Sequence, residues 1–93
     1  MNLWILLGKI VSEIEFKFMI NSENKSIVYF NIELLNKSIM QIKAYNEMAD
    51  CIYRKLKKGQ IIIVEGKIGG EGTIECERFY FLKKDNIFKS KEL

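Results

Sequence analysis

A single stretch of this sequence has the pattern of an amphipathic α-helix, and it limits the possible folds more than any other feature. In residues 46–58, NEMADCIYRKLKK, apolar residues recur at every fourth position from Met48 to Leu56, which places them on one face of a helix. Asn46 is predicted to cap its N-terminus, and Gly59 is predicted to stop it in the left-handed conformation. A chain of 93 residues with one short helix must build the rest of its core from other elements.

Most of the remaining sequence alternates apolar and polar residues with a period of two, which indicates β-strands. In SIVYFNIELL, Val28 and Phe30 are expected to face inward, whereas Tyr29 faces outward. In IMQIKAY, the outward positions are Ile39, Gln41, Lys43 and Tyr45. The predicted strands are, in order, LWILLGKI, EIEFKFMI, SIVYFNIELL, IMQIKAY, IIIVEGKI and TIECERFYFL.

The order of these elements predicts the fold class. The segment from EIEF to FNIEL is counted as one element, a long hairpin with bent arms. The order is then three strands, the helix and two strands. A helix of about three turns that closes one end of a five-stranded Greek-key barrel is the architecture of the oligonucleotide/oligosaccharide-binding (OB) fold. We therefore predict an all-β OB-fold domain over residues 1–83, with one α-helix between strands 3 and 4, followed by a short, frayed tail over residues 84–93.

The composition argues against most enzymes. Histidine is absent and no Cys-x-x-Cys pair occurs, so neither a zinc site nor a histidine-based triad is expected. Cys51 and Cys76 each fall inside a predicted element, and without secretory context they are predicted to be buried free thiols. The sequence predicts a protein that is not an enzyme and has no catalytic residue, metal ligand or cofactor.

Targeting signals are not expected either. No window reaches the roughly 18 apolar residues of a membrane-spanning helix, and the opening LWILLGKI lacks the basic flank and cleavage site of a signal peptide. The sequence therefore predicts a cytoplasmic protein without a membrane partner.

The net charge of +3 is unevenly distributed. All of the excess lies in residues 41–67, which carry six basic and three acidic groups. A weakly basic middle is compatible with a polyanionic partner. The RKLKK cluster within it is interpreted as a complement to the helix dipole and a solvated surface.

Two stretches resemble the bacterial single-stranded DNA-binding protein family. NLWILLGKI is similar to the family's opening strand, with its apolar run and a glycine before a basic residue. KAYNEMADCIYRKLKKGQIIIVEGKI, residues 43–68, is similar to the family's succession of aromatic residue, helix, basic pair, glycine and apolar strand. The resemblance implies non-catalytic, sequence-tolerant binding of single-stranded DNA in replication, recombination or repair, with RNA as an alternative ligand.

The resemblance also implies a set of site residues. Tyr45 lies where the family places an aromatic side chain that stacks on a base. Other outward residues are candidates for stacking or for contacts with the phosphates: Tyr29, Gln41, Lys43, Lys9 and Lys67.

Three departures from the family pattern leave a second interpretation open. Ile39 stands where the family has a tryptophan on the ligand face, the hairpin before the last strand is reduced to GGEG, and the sequence ends KSKEL where the family has an acidic tail. The alternative is a protein-interaction module of the primosomal type, with weak or no DNA binding, whose partners would be replication or repair proteins.

The first strand predicts self-association. Trp4 is expected to face the core or a subunit interface, and the opposite face carries Leu3, Ile5 and Leu7. An apolar patch of that kind is rarely left in water. Pairing first strands across a two-fold axis would bury it. We predict a homodimer through this strand, or a homotetramer that adds sheet surface around Ile61.

Overall fold

The computed structural model describes residues 2–20, 25–83 and 86–89. A turn of 3₁₀-helix at Gly70–Gly72 joins the fifth and sixth strands. The elements follow the order β1 (Trp4–Ile10), β2 (Glu15–Met19), β3 (Lys25–Leu34), β4 (Ile39–Tyr45), α1 (Asn46–Lys55), β5 (Ile61–Ile68), β6 (Ile74–Lys83) and β7 (Asn86–Lys89).

Five of the strands close into a barrel. β1 pairs with β5, β5 with β6, β6 with β4, β4 with β3, and β3 pairs again with β1. The β4–β6 pair is parallel and the other pairs are antiparallel. β2 pairs with the first half of β3, on the same edge of β3 that β1 pairs with near its end. Because α1 follows the third strand of this ring, the structure confirms the predicted all-β OB-fold barrel with a helix between its third and fourth strands.

The core fills the barrel with the residues that the alternation predicts to face inward. Val28, Phe30 and Ile32 of β3 are at most 2% exposed. From α1, Ala49 and Ile52 are fully buried against the same cluster, so the helix closes one end of the barrel. Since each of these side chains is removed from water almost completely, burial stabilises the fold by about 1.5–3 kcal/mol for each large one.

The start of α1 differs from the prediction. Tyr45 occupies the N-cap position and no side chain caps the helix. The amide oxygen of Asn46 instead accepts a hydrogen bond from the backbone N–H of Ser26, at 3.3 Å. The predicted Asn46 cap is therefore wrong, because its side chain bonds to the neighbouring strand β3.

The end of α1 also comes earlier than predicted. The helix ends at Lys55, and the backbone N–H of Leu56 donates to the Ile52 carbonyl at 2.9 Å. Gly59 does have the expected positive φ, 100°, but it lies in the turn that leads into β5. Its backbone N–H donates to the carbonyl of Ile10 at 2.8 Å. Gly59 therefore fastens this turn to the end of β1.

Trp4 is not part of the core. It is 46% exposed, and its indole N–H donates to the side-chain oxygen of Asn2 at 2.9 Å. Its partner on β5 is Gly66, which offers no side chain to pack against. The prediction of a core position is wrong, and a subunit-interface position stays a prediction.

Both cysteines are buried free thiols, as predicted. Burial raises the pKa of the Cys76 thiol to about 12, so this side chain stays protonated at neutral pH.

The predicted tail has a paired segment. The backbone of β7 lies antiparallel to β6, with Lys89 opposite Tyr80. Residues 84–85 and 90–93 lie outside the described residues, and the domain boundary after residue 83 stays a prediction. Within the described ranges, the structure has no helix that is long and apolar enough to cross a membrane.

Candidate nucleic-acid interface

Most of the predicted ligand-contacting residues meet on one outward surface of the barrel. β4 lies beside β3 with Lys43 opposite Tyr29 and Gln41 opposite Asn31. On the other side of β3, β2 brings Lys17 alongside. We call this surface the β2–β3–β4 face; it consists of Lys17, Lys25, Tyr29, Asn31, Gln41, Lys43 and Tyr45.

Tyr29 lies at the centre of the β2–β3–β4 face with lysines from both neighbouring strands around its ring. The ammonium nitrogen of Lys17 lies 5.5 Å from the ring centroid, and that of Lys43 lies 5.7 Å from it. Both distances are within the range of a cation–π interaction, which contributes about 0.5–1 kcal/mol at an exposed site. The ring is therefore partly exposed between two ammonium groups, with Glu15 as its partner on β2, and a stacked base would bring its phosphates close to both ammonium groups.

Tyr45 lies at the last position of β4, immediately before α1. The ammonium nitrogen of Lys25, at the start of β3, lies 5.8 Å from its ring centroid. Ile27 is its partner across the strands and is buried, 4% exposed. The backbone of this corner is fixed by the bond from Ser26 to Asn46. Tyr45 is therefore a partly exposed ring on a rigid base, as an aromatic stacking platform requires.

Gln41, Lys43 and Tyr45 occupy alternate positions of β4, so their side chains point to the same side of the sheet. Gln41 is exposed, and the other two are partly exposed. With a rise of about 3.3 Å per residue, the three positions span about 13 Å. The face therefore offers a continuous path of contacts rather than an enclosed pocket.

Ile39 extends this row at the other end of β4. It is 52% exposed, and it lies opposite Glu33 of β3. An aliphatic side chain covers a base poorly compared with an aromatic ring, so this end of the face has no stacking platform.

Lys67 is separated from the β2–β3–β4 face by β6, which carries Glu75 and Glu77 next to it. It pairs with Glu75 of β6, and Glu75 in turn pairs with Lys43. The ammonium nitrogen of Lys67 lies 3.4 Å from a carboxylate oxygen of Glu77. Lys67 and Lys43 are thus two strand spacings apart, about 10 Å, with carboxylates between them.

Lys9 lies at the seam where β1 closes onto β3. It is exposed, and its backbone partners are Glu33 of β3 and Ile61 of β5. With Lys37 and Leu35 it lines a small open cavity of about 200 Å³. The structure therefore does not bring Lys9 together with the two tyrosines.

Sequence reasoning assigned no role to Lys17 and Lys25, although both contact the rings. The alternation of EIEFKFMI does place Lys17 on the side opposite Phe16, but it does not reveal which strand lies next to it. The pairing of β2 with β3 makes Lys17 a neighbour of Tyr29, and strand pairing is not encoded in the period of one strand.

A second polar cluster lies on β5 and β6, beside the first strand. The guanidinium of Arg78 donates to Glu65 at 3.1 Å, and the hydroxyl of Tyr80 donates to the other oxygen of the same carboxylate, also at 3.1 Å. Desolvation and this hydrogen bond raise the pKa of Tyr80. The cluster ties β5 to β6 and leaves Glu65 with both oxygens engaged. No group of three or more potential metal ligands occurs in the described residues.

The predicted oligomer surface is exposed. Leu3, just before β1, and Ile5 and Leu7 of β1 are 45%, 63% and 46% exposed. Leu7 lies opposite Ile63 of β5, which is 37% exposed, and Ile61 beyond it is 56% exposed. β1 and β5 together thus present a contiguous apolar surface, and we refer to these five residues as the β1–β5 apolar surface.

Comparison with solved structures identifies proteins of the same fold. A single-stranded DNA-binding protein from Thermus aquaticus superposes with a TM-score of 0.77 over 92% of this chain, at 17% sequence identity. The chain spans 42% of the length of that protein chain.

Two shorter proteins match along almost their whole length. The single-stranded DNA-binding domain of a Synechococcus protein gives a TM-score of 0.75 at 10% identity, over 85% of this chain and 93% of the other. A mitochondrial single-stranded DNA-binding protein from S. cerevisiae gives 0.75 at 17% identity, over 87% and 93%. No family model matches the sequence, and no curated protein is similar to it at the sequence level. The chain thus shares the OB-fold of single-stranded DNA-binding proteins.

Proposed function

We propose that this chain is a non-catalytic protein that binds single-stranded nucleic acid, with single-stranded DNA as its main ligand and RNA as the alternative. The observation that carries the proposal is the pair of outward tyrosines, Tyr29 and Tyr45, each with a lysine ammonium within 6 Å of its ring centroid. Sequence-tolerant binding of a single strand has two components: aromatic rings on a sheet surface and cations beside them.

The two components act on different parts of the ligand. Bases stack on the tyrosine rings, and each stacked base contributes about 1–3 kcal/mol whatever its identity. Lysines neutralise phosphates and release condensed counterions, which makes the affinity depend on salt. Neither component requires a particular base edge, so binding would tolerate any sequence.

The proposed biological setting is DNA replication, recombination or repair in the cytoplasm. It is supported by the shared fold with proteins that are named for binding single-stranded DNA.

Fluorescence anisotropy with labelled oligo-dT tests the proposal. We expect saturable binding at about 50 mM salt that weakens at about 200 mM salt, because phosphate contacts are part of the affinity. Oligo-rU and a duplex of the same length serve as comparison ligands. A protein that is folded by circular dichroism but does not bind oligo-dT at low salt would refute the function.

We also propose that the β1–β5 apolar surface is a self-association surface. Contiguous apolar patches on soluble proteins commonly mark interfaces, and the exposed fractions of Ile5 and Ile61 both exceed half. A second copy related by a two-fold axis would cover the same residues on each protomer. The expected assembly is a homodimer through β1, or a homotetramer that also uses β5.

The same apolar surface favours a second candidate function. A protein-interaction module of the primosomal type would use it to bind a replication or repair protein, with weak or no DNA binding. The oligo-dT titration separates the candidates, since the interaction module predicts weak or no binding at low salt, whereas the main proposal predicts saturation.

A further inference from the structure

We propose that the bound strand follows the β2–β3–β4 face alone, with Lys17, Lys25 and Lys43 as its phosphate contacts, and that Lys9 and Lys67 lie outside its path. This inference rests on the proposed function and specifies the course of the ligand over the surface.

The first argument is the position of the cations relative to the rings. Lys17 and Lys43 approach Tyr29 from the two strands that flank it, and Lys25 approaches Tyr45. A base that stacks on either ring brings its phosphate to the rim of that ring. The ammonium groups at the rim are then close enough to make a charge-assisted contact with a phosphate oxygen.

The second argument is the charge on the two halves of the sheet. β2, β3 and β4 carry three lysines, Lys17, Lys25 and Lys43, and two glutamates, Glu15 and Glu33. β5, β6 and the turn between them carry four glutamates, Glu65, Glu71, Glu75 and Glu77, and three basic residues, Lys67, Arg78 and Lys83. The first group of strands thus has a formal charge of +1 and the second a formal charge of −1, so the field favours phosphates on the first group.

The third argument is that both excluded lysines have carboxylates beside them; Lys43 shares the neighbour Glu75 with Lys67, but it also lies 5.7 Å from the ring centroid of Tyr29. Lys67 is bound to Glu77 and paired with Glu75. Lys9 is paired with Glu33, which lies two positions beyond Asn31 on β3. The carboxylates beside these two lysines offset part of their Coulomb attraction for a phosphate.

The length of the face sets the expected scale of binding. Three lysines give a slope of log affinity against log salt of about −2, from about −0.7 for each single-strand phosphate contact. The path of about 13 Å along β4 predicts a site near the short end of the range of about 4–16 nucleotides for one OB-fold.

Alanine substitution of single lysines tests the path. Lys17→Ala and Lys25→Ala should each weaken oligo-dT binding by about fivefold at low salt and reduce the steepness of the salt slope by about 0.7. The matched controls are Lys67→Ala and Lys9→Ala, which remove the same charge and should change affinity less than twofold. If the controls weaken binding as much as the test variants, the inference is wrong and the proposed function still holds. If the wild-type protein binds no oligo-dT, the proposed function itself fails.

Removal of the carboxylates of Glu75 and Glu77 provides a second test, in which the affinity for oligo-dT is expected to rise instead of fall. In the double variant Glu75→Gln and Glu77→Gln, Lys67 loses its partner and the repulsion disappears. We expect tighter binding and a salt slope steeper by about 0.7, as Lys67 joins the path. Unchanged affinity and slope in a folded double variant would contradict the exclusion of this half of the sheet by charge.

Discussion

At the scale of single residues, the candidate site is defined by which side chains meet around the two tyrosines. Tyr29 and Lys43 are direct partners across β3 and β4, and the cation lies 5.7 Å from the ring centroid. The same two residue types on unpaired strands would be unrelated surface groups. The function proposed for them therefore depends on the strand register as much as on their identity.

The buried thiol of Cys76 makes the stability of the protein depend on pH. Burial raises the pKa of Cys76 to about 12, from an ordinary value of 9.0. Below pH 9 the thiol is protonated in both states and contributes no pH dependence. Above pH 9 it ionises in the unfolded chain but not in the folded one, so the free energy of unfolding falls by about 1.4 kcal/mol per pH unit until pH is about 12.

Urea unfolding of the wild type and of Cys76→Ala checks this prediction. Between pH 8.5 and pH 10.5 the wild type should lose about 2 kcal/mol more of its unfolding free energy than the variant. The raised pKa of Tyr80 acts in the same direction, but it is present in both proteins and does not affect the difference. Equal losses in the two proteins would show that the Cys76 thiol is not held protonated by the fold.

At the scale of elements, the join between β5 and β6 depends on a close approach of two backbones. The pairing shifts register between Glu65 and Gly66. A Cβ atom at Gly66 would lie 2.0 Å from the carbonyl oxygen of Glu75, which is far inside contact distance. The strands can therefore follow this course with glycine at position 66 and not with a larger residue.

Gly66→Ala should destabilise the protein by roughly 3 kcal/mol, because the backbone of β5 or β6 must shift to admit a methyl group. Gly70→Ala is the matched control, since a Cβ atom there meets nothing within 4 Å, and it should change stability by less than about 0.5 kcal/mol. Thermal denaturation followed by circular dichroism measures both. Equal melting temperatures for the two variants would contradict the close approach.

The elements also show how far the sequence alone predicts this structure. The alternation in β3 and β4 predicts the inward and outward sides of both strands correctly, because the period of a strand follows from its own residues. The start of α1 is not predicted, because the Asn46 side chain bonds to Ser26 on β3 instead of capping the helix. The contacts of Lys17 with Tyr29 and the exposure of Trp4 likewise depend on which residues lie on the paired strand.

At the scale of the whole molecule, the two proposed surfaces lie on different strands of the barrel. The β2–β3–β4 face carries the tyrosines and lysines, and the β1–β5 apolar surface carries Leu3, Ile5 and Leu7. The acidic residues of β6 lie between β4 and β5 in the sheet order. Self-association through β1 and β5 would therefore leave the tyrosines accessible to a ligand in every protomer.

A charged substitution on β1 tests the self-association. Ile5→Glu should convert the protein to a monomer in light scattering at micromolar concentration, because a carboxylate would have to lose its water in the interface. Ile20→Glu is the control, since Ile20 is 85% exposed and lies beyond β2, and it should leave the assembly unchanged. A wild-type protein that is a soluble monomer at this concentration would contradict the proposal.

The central claim is that outward tyrosines of the barrel stack on the bases of a single strand, and one substitution tests it most directly. Tyr45→Ala should weaken oligo-dT binding in the anisotropy titration by about 1–3 kcal/mol, or about 5- to 150-fold, with an unchanged melting temperature. Tyr53→Ala is the matched control, because Tyr53 lies on α1, is 56% exposed and packs on Phe16 at the core side of β2, with 5.1 Å between the ring centroids; its affinity should equal that of the wild type. Equal affinities for Tyr45→Ala and the wild type would contradict base stacking at this position.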